Sequence, residues 1–580
     1  MAHYLALSRT PLLYGFTGGL LLALTACSVK ESEPVAANAP ATPAPLSYSQ
    51  DVLAEQAASM EAKKADPNAS YAAGMVAPKQ RMLRPAPVAD AAQADFQSEY
   101  REQYQKLADN PIHAVAQDPV STFSIDVDTG SYANVRRFLN RGQLPPGDAV
   151  RLEELVNYFP YSYPQASGNT PFGVSTELAV TPWNANSRLL KVAIKASELQ
   201  SQAMPPANLV FLVDVSGSMD RADGLPLVQS TLKLLVEQLR ADDKVSLVVY
   251  AGDSSVVLPP TSGSEKGKIR AAIDKLQAGG STAGESGIQL AYEQAQQGFI
   301  ANGINRILLA TDGDFNVGIS DFDSLKKLAE DKRKTGVSLT TLGFGTDNYN
   351  EQLMEQLADA GNGNYAYIDN LREARKVLVE QLSSTLVTVA KDVKIQVEFN
   401  PAQVSEYRLL GYENRALKRE DFSNDKVDAG EIGAGHTVTA LYEIVPAGNK
   451  GWLESLRYAQ VDSKRAASSE MALLRIRYKA PNQEQSRLLE VPIAADAKAP
   501  AIADASADLR FAAAVAAFAQ QLKGGQYTQG FDLAASAKLA RSAKGDDHFG
   551  LRAEFVQLVE LAQSLQTAAN PSSSTMAKVD

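Results

Sequence analysis

The spacing of apolar residues changes character along this chain. Between Asn208 and Leu386, continuous apolar runs alternate with helical stripes. NLVFLVDVS, KVSLVVYA, INRILLATDG and VSLTTLGFG read as strands, several buried on both faces. LPLVQSTLKLLVEQL, KGKIRAAIDKL, SGIQLAYEQAQQGF, DFDSLKKLAEDKRKTG and NEQLMEQLADAG repeat their apolar residues at helical spacing. SSVVLP reads as an edge strand, and NYAYID and LREARKVLVEQLSSTL complete the alternating series. This alternation predicts an α/β fold with a doubly wound, mainly parallel, Rossmann-like sheet. In such sheets ligands bind beyond the carboxyl ends of the strands.

The flanks follow period two. FGVSTELAVTPWNANSRLLKVAIKA, Phe172 to Ala196, alternates around a turn at Pro182 to Ser187 and predicts a hairpin. From Lys391, DVKIQVEFNP, EYRLLGYE, HTVTALYEIVP, MALLRIRYKAP and RLLEVPI predict an antiparallel sheet. Joined to the hairpin they form a β-sandwich, with the central sheet inserted in it or flanked by it. Three helical stripes then make a carboxyl-terminal helical segment. The expected boundaries are an amino-terminal module over 110–205, the α/β domain over 206–388, the sandwich over 389–500, the helical end over 501–569 and a disordered tail over 570–580. Residues 27–109 are rich in Ala and Pro with few large apolar side chains, and read as a flexible tether.

Composition narrows the chemistry. The chain has 580 residues, 45% hydrophobic and 21% charged, with a formal charge of -11. An acidic chain gains nothing from counterion release at phosphates, so no nucleic-acid partner is expected. Cys27 stands alone, and His3, His113, His436 and His548 are scattered. Disulfide frameworks, multi-Cys metal sites and His-dependent hydrolases are poor fits. No enzyme activity is expected.

The first 27 residues, MAHYLALSRTPLLYGFTGGLLLALTAC, have the layout of a secretory signal. Leu24-Thr25-Ala26-Cys27 resembles the lipobox of bacterial lipoproteins. The resemblance implies cleavage of a signal peptide over 1–26 and a lipid on the Cys27 thiol, holding the protein to a membrane in the cell envelope. Ser28, where an aspartate tends to retain such proteins at the inner membrane, points to the periplasmic side of the outer membrane or to the cell surface.

Three loops of the central sheet carry the candidate site. β-strand NLVFLVDVS ends in Asp214-Val215-Ser216-Gly217-Ser218, a later loop reads Gly279-Gly280-Ser281-Thr282, and a further strand ends in Thr311-Asp312-Gly313. Alone, the first of these is equally a turn into a helix with Ser218 or Asp220 as N-cap. Together, in this order, they resemble the von Willebrand factor type A (VWA) domain and its metal-ion-dependent adhesion site. By that resemblance Ser216, Ser218 and Thr282 ligate Mg²⁺ (Mn²⁺ or Ca²⁺ as alternatives), with Asp214 and Asp312 acting directly or through water. Ser281 is an alternative to Thr282. Uncharged hydroxyl ligands leave such a cation electron-poor, so a protein partner's Asp or Glu is the expected further ligand. The other class considered is a regulatory or chaperone-like VWA subunit working with an ATPase or envelope assembly machinery.

Other motifs weigh less. Asp312-x-Asp314-x-Asn316 starts like a calcium loop, but Val317 replaces the glycine such a loop needs. Asp126-Val127-Asp128 is followed by a helix and a Pro-rich loop, which disfavours a phosphatase and leaves Ca²⁺ binding or helix capping. The segment SIDVDTGSYANVRRFL and the carboxyl-terminal part resemble modules that accompany A domains in a group of bacterial proteins.

Overall fold

The computed structural model describes residues 102–569, apart from 169, 200–203, 281–283, 314–321, 347–348, 455–468, 482, 496–498 and 529. Cys27 with the leader, most of the tether, Ser281, Thr282, Asp314, Asn316 and the tail from 570 lie outside the described residues.

The chain begins with β1 (His113–Ala114), β2 (Val120–Ser124), α1 (Gly130–Asn140) and α2 (Leu152–Asn157), then the hairpin β3 (Phe172–Thr181) and β4 (Asn184–Ala196). The central unit runs β5 (Ala207–Asp214), α3 (Leu225–Gln238), β6 (Lys244–Tyr250), β7 (Ser254–Ser262), α4 (Lys266–Asp274), α5 (Gly284–Gln297), β8 (Ile304–Thr311), α6 (Phe322–Arg333), β9 (Ser338–Gly343), α7 (Glu351–Ala360) and β10 (Tyr365–Tyr367). After α8 (Leu371–Arg375) and α9 (Leu382–Leu386) come β11 (Thr388–Phe399), β12 (Val404–Leu410), β13 (Ile432–Gly433), β14 (Thr437–Pro446), β15 (Glu470–Lys479) and β16 (Ser486–Ala494). Helices α10 (Ala507–Leu522), α11 (Leu533–Ser542) and α12 (Leu551–Ala569) follow.

The central sheet has the order β10-β9-β8-β5-β6-β7, parallel throughout except for the antiparallel edge strand β7. Every residue of β5 is buried. That is why its sequence shows a continuous apolar run and no alternation. The stretch over 371–386 is two short helices joined by a π-helical turn at Lys376–Glu380.

The flanking strands form two facing sheets, β1-β12-β14-β4-β3 and β13-β11-β15-β16, with β2 beside β11. Strand β4 pairs with β14, Val192 opposite Ala440, so the hairpin and the later strands share one sheet and the α/β unit is an insertion between them. Leu190, Val192 and Ile194 of β4 pack into the sandwich with Ile395, Val397 and Leu474. Their neighbours Leu189 and Ala193 point the other way, into a core with Phe511, Ala512 and Phe555 of the helical end. Both faces of β4 are thus covered, and the alanine-rich face of α10 permits close approach to the sheet.

Glu102, the first described residue, lies within the stretch read as tether and already makes contacts to the folded part. Its carboxylate takes two hydrogen bonds from the Arg137 guanidinium at 2.7 and 2.8 Å, and the neighbouring Gln103 N–H donates to the Tyr349 carbonyl. A buried arginine on α1 needs an anion, and Glu102 supplies it. Among the described residues no helix is long and apolar enough to cross a membrane.

Candidate metal centre

Parallel pairing of β5 with β8 sets Val213 opposite Ala310, so both strands end at one level. Asp214 and Asp312 follow at that edge, both fully buried. Asp214 is held in place from three sides. Its Oδ1 accepts the Ser216 N–H at 2.9 Å, and its Oδ2 accepts Thr311 Oγ1 at 2.8 Å and the Tyr250 hydroxyl at 3.3 Å. Burial, and next the charge of Asp312, push the Asp214 carboxyl up to about 6, against the lowering effect of its hydrogen bonds from Ser216 and Thr311. Two buried carboxylates whose charges act on each other disfavour joint ionisation unless a cation lies near them.

Beyond Asp214 the chain makes a short 3-10 turn at Gly217–Met219, which brings Ser216 Oγ to 3.0 Å from Ser218 Oγ. An octahedral magnesium with oxygens at about 2.0–2.1 Å has adjacent ligands about 2.9 Å apart. The two hydroxyls, which hydrogen-bond each other here, also stand at the separation of neighbouring ligands, and the hard, oxygen-only donor set fits such an ion. The loop before Thr282 is pinned to this turn: Gly279 N–H donates to Val215 O at 2.7 Å and Gly217 N–H to Gly280 O at 3.1 Å. On the β8 side Gly313 adopts φ +82, and a Cβ there would stand 2.8 Å from the Asn350 nitrogen. Glycine is required at that turn.

The structure thus brings Asp214, Ser216, Ser218 and Asp312 to one edge, while Thr282 and its alternative Ser281 lie outside the described residues. Two neighbours escaped the sequence reading. Tyr250, at the end of β6, closes over Asp214, and Arg221 places Nη2 3.7 Å from Asp312 Oδ2. Neither lies in a motif. The only signal was the position of Tyr250 at a parallel strand's carboxyl end and of Arg221 three residues after Ser218.

Asp126 and Asp128 occupy a different place. They do not cap α1, whose N-cap residue Thr129 makes no side-chain cap. The Ser131 N–H in its first turn is instead taken by Glu154 Oε2 at 2.8 Å. Asp126 Oδ1 accepts the Asp128 N–H at 3.0 Å, and Asp128 Oδ1 accepts the Tyr365 N–H of β10 at 2.8 Å. Helix capping by these aspartates is therefore replaced by a strand-edge contact.

Comparison with known proteins adds to this geometry. Residues 208–384 match the von Willebrand factor type A domain, residues 98–191 match a family described as von Willebrand factor, and residues 384–565 match the family "Uncharacterized protein YfbK, C-terminal". The chain is 53% identical over 472 residues to "Uncharacterized protein YfbK" of Escherichia coli (strain K12), covering 80% of this chain and 81% of that protein. It is 32% identical over 191 residues to "Uncharacterized protein sll0103" of Synechocystis sp., covering 33% and 44% respectively. A solved von Willebrand factor type A structure from Catenulispora acidiphila aligns with TM-score 0.37 at 15% identity, over 66% of this chain and 89% of that one.

Proposed function

The chain belongs to the family of YfbK, with a VWA domain and the YfbK carboxyl-terminal domain, and from that premise we propose that it is a lipid-anchored envelope protein that captures a protein partner through a divalent cation. Asp214, Ser216, Ser218, Asp312 and Thr282 would hold the ion, magnesium first among the candidates. When bound, the ion supplies a Lewis-acidic position for a carboxylate of the partner. The chain's own part is to orient the donors. Thr311 and Tyr250 fix Asp214, and the 3-10 turn aligns Ser216 with Ser218. The observation that carries this reading is the 3.0 Å separation of the two hydroxyls next to two buried carboxylates at one sheet edge.

Cys27, carrying the lipid, would attach the protein to the outer membrane on its periplasmic side or at the cell surface. The motif Leu24-Thr25-Ala26-Cys27 supports this reading. The test is a pull-down from envelope extract with the full chain, in magnesium and in chelator. Capture should need the metal and should vanish in Asp312→Ala with folding intact. Capture unchanged by the substitution would sink the metal bridge. Membrane fractionation unaltered by Cys27→Ser would sink the anchor.

A further inference from the structure

A second group of acidic side chains lies away from the β5 and β8 edge, where the loop after β2, helix α2 and helix α7 meet. Asp126 and Asp128 come from the loop, Glu153 and Glu154 from α2, and Glu351 and Glu355 from α7, all buried, none more than 5% exposed. Among them, one oxygen each of Asp126, Asp128 and Glu355 lie within 4.8 Å of one another. The cations facing them are few. Arg415 reaches Asp128 Oδ2 at 3.0 Å, Glu355 Oε1 at 3.1 Å and Asp126 Oδ2 at 3.4 Å, and it also holds Asp359 at 2.6 Å. Arg151 turns its Nη2 to the Gln105 carbonyl at 3.0 Å. With Arg137 acting on Glu351 and Lys523 on Glu153, four cations still stand against six buried carboxylates, an arrangement that is unfavourable for full ionisation without further positive charge.

An orphaned oxygen shows where that charge belongs. Glu154 gives Oε2 to the Ser131 N–H, while its Oε1 has no hydrogen-bond partner although the residue is 1% exposed. The charges acting on Glu154 are those of Glu351, Asp126, Glu355 and Asp128, so it faces the group.

We propose that the protein holds a second divalent cation of the calcium class, bound by Asp126, Asp128 and Glu355, with the orphaned oxygen of Glu154 and the carboxylate of Glu351 beside it. Calcium accepts six to eight oxygens at about 2.3–2.6 Å, so ligands on opposite sides of it stand about 4.6–5.2 Å apart. The oxygens of Asp126, Asp128 and Glu355, all within 4.8 Å of one another, fit inside that span. Magnesium keeps several of its waters and is held by one or two carboxylates, which suits a fully buried group of carboxylates less well. The ion fastens the amino-terminal module to the VWA sheet: Asp128 already binds the β10 amide of Tyr365, and Glu355 lies on α7. Arg415 closes one side of the site from the segment after β12.

The test uses the full chain, calcium alone as the probe, and Asp312→Ala as background so that the adhesion-type site is silent. After stripping with chelator, equilibrium dialysis should return about one calcium per chain. The thermal midpoint should rise with calcium and respond at least tenfold more weakly to magnesium. Adding Glu154→Gln, an isosteric change, should weaken calcium binding at least tenfold. An Asp312→Ala chain that takes up no calcium overturns the proposal, whatever the Glu154 variant does. So does calcium binding undiminished by Glu154→Gln in a chain with native circular dichroism. Loss of partner capture in Asp312→Ala with calcium binding retained keeps the two sites separate.

Discussion

Arg136 on α1 offers a sharp perturbation because it meets three parts of the chain at once. Its guanidinium is fully buried. Nε donates to Asp369 Oδ2 at 2.8 Å, Nη2 to Asp369 Oδ1 and to Glu373 Oε2 at 2.8 Å, and Nη1 to the Tyr158 hydroxyl at 2.8 Å and to Glu554 Oε2 at 3.3 Å. In Arg136→Leu the partners fare differently. Glu373 keeps Lys376 at 3.4 Å and the Tyr158 hydroxyl at 2.7 Å, and Glu554 keeps Arg372 at 3.3 Å. Asp369, with its side chain 6% exposed, loses the cation that compensated it. Breaking a buried pair so as to leave one charge behind costs about 3–5 kcal/mol. Urea unfolding, read by the fluorescence of Trp183, which packs on Phe531 of the helical end, measures the loss. Adding Asp369→Asn to the same chain should recover a substantial part, since it removes the stranded charge. The deficit of Arg136→Leu should also shrink toward acid pH, because burial already raises the Asp369 carboxyl and loss of Arg136 raises it further, so the folded variant gains a proton there before the unfolded chain does. A loss under about 1 kcal/mol, typical of an exposed pair, would refute the reasoning. Strict additivity of the two substitutions would refute it as well.

Three further outcomes follow from the same structure. Phe555→Ala empties a fully buried position among Phe159, Phe511 and Phe518 and should cost about 3–5 kcal/mol, with loss of the Trp183 signal at lower urea; a change below about 1 kcal/mol would mean the helical end is loosely packed. His436 is pushed down to about 4 by burial and then by the Lys376 charge, so the folded protein keeps it neutral while the unfolded chain protonates it below about 6.5. That contribution to stability is present above about 6.5 and is lost as pH falls through the window to about 4, so Tm of the parent should drop relative to His436→Gln across it; a gap independent of pH would contradict this assignment. Arg221→Ala removes a positive charge 3.7 Å from Asp312 Oδ2 and should tighten magnesium binding at the proposed adhesion site by about tenfold in calorimetric titration, whereas unchanged affinity would place the ion away from Asp312.

The elements around the site were legible because they rest on local signals. The uninterrupted apolar run of β5 announces a strand buried on both faces, and the strand's end then places Asp214, Ser216 and Ser218 without further information. Period two in β4 and β14 foretells antiparallel pairing, though the sequence shows only that each strand has two faces and not what covers them. The π-helical turn at Lys376–Glu380 left no mark on a helical stripe, since it shifts the hydrogen-bond register without breaking the apolar pattern. Glu102 was read with the tether because its neighbours are polar, and the distant, buried Arg137 that pairs with it is not visible in its local sequence.

By itself the sequence determined the alternating α/β unit, the flanking antiparallel strands and the oxygen-rich loops, because periodicity and strand ends are properties of neighbouring residues. The tertiary structure decided which charges meet. Arg415 reaches Asp126 across 289 residues, and Arg136 reaches Glu554 across 418. Such pairs have no spacing rule, since a buried ion finds its counter-ion wherever the chain happens to return. For the same reason Asp126 and Asp128, two aspartates beside a helix start when seen in sequence, become part of a buried acidic layer only once α2 and α7 are packed against them.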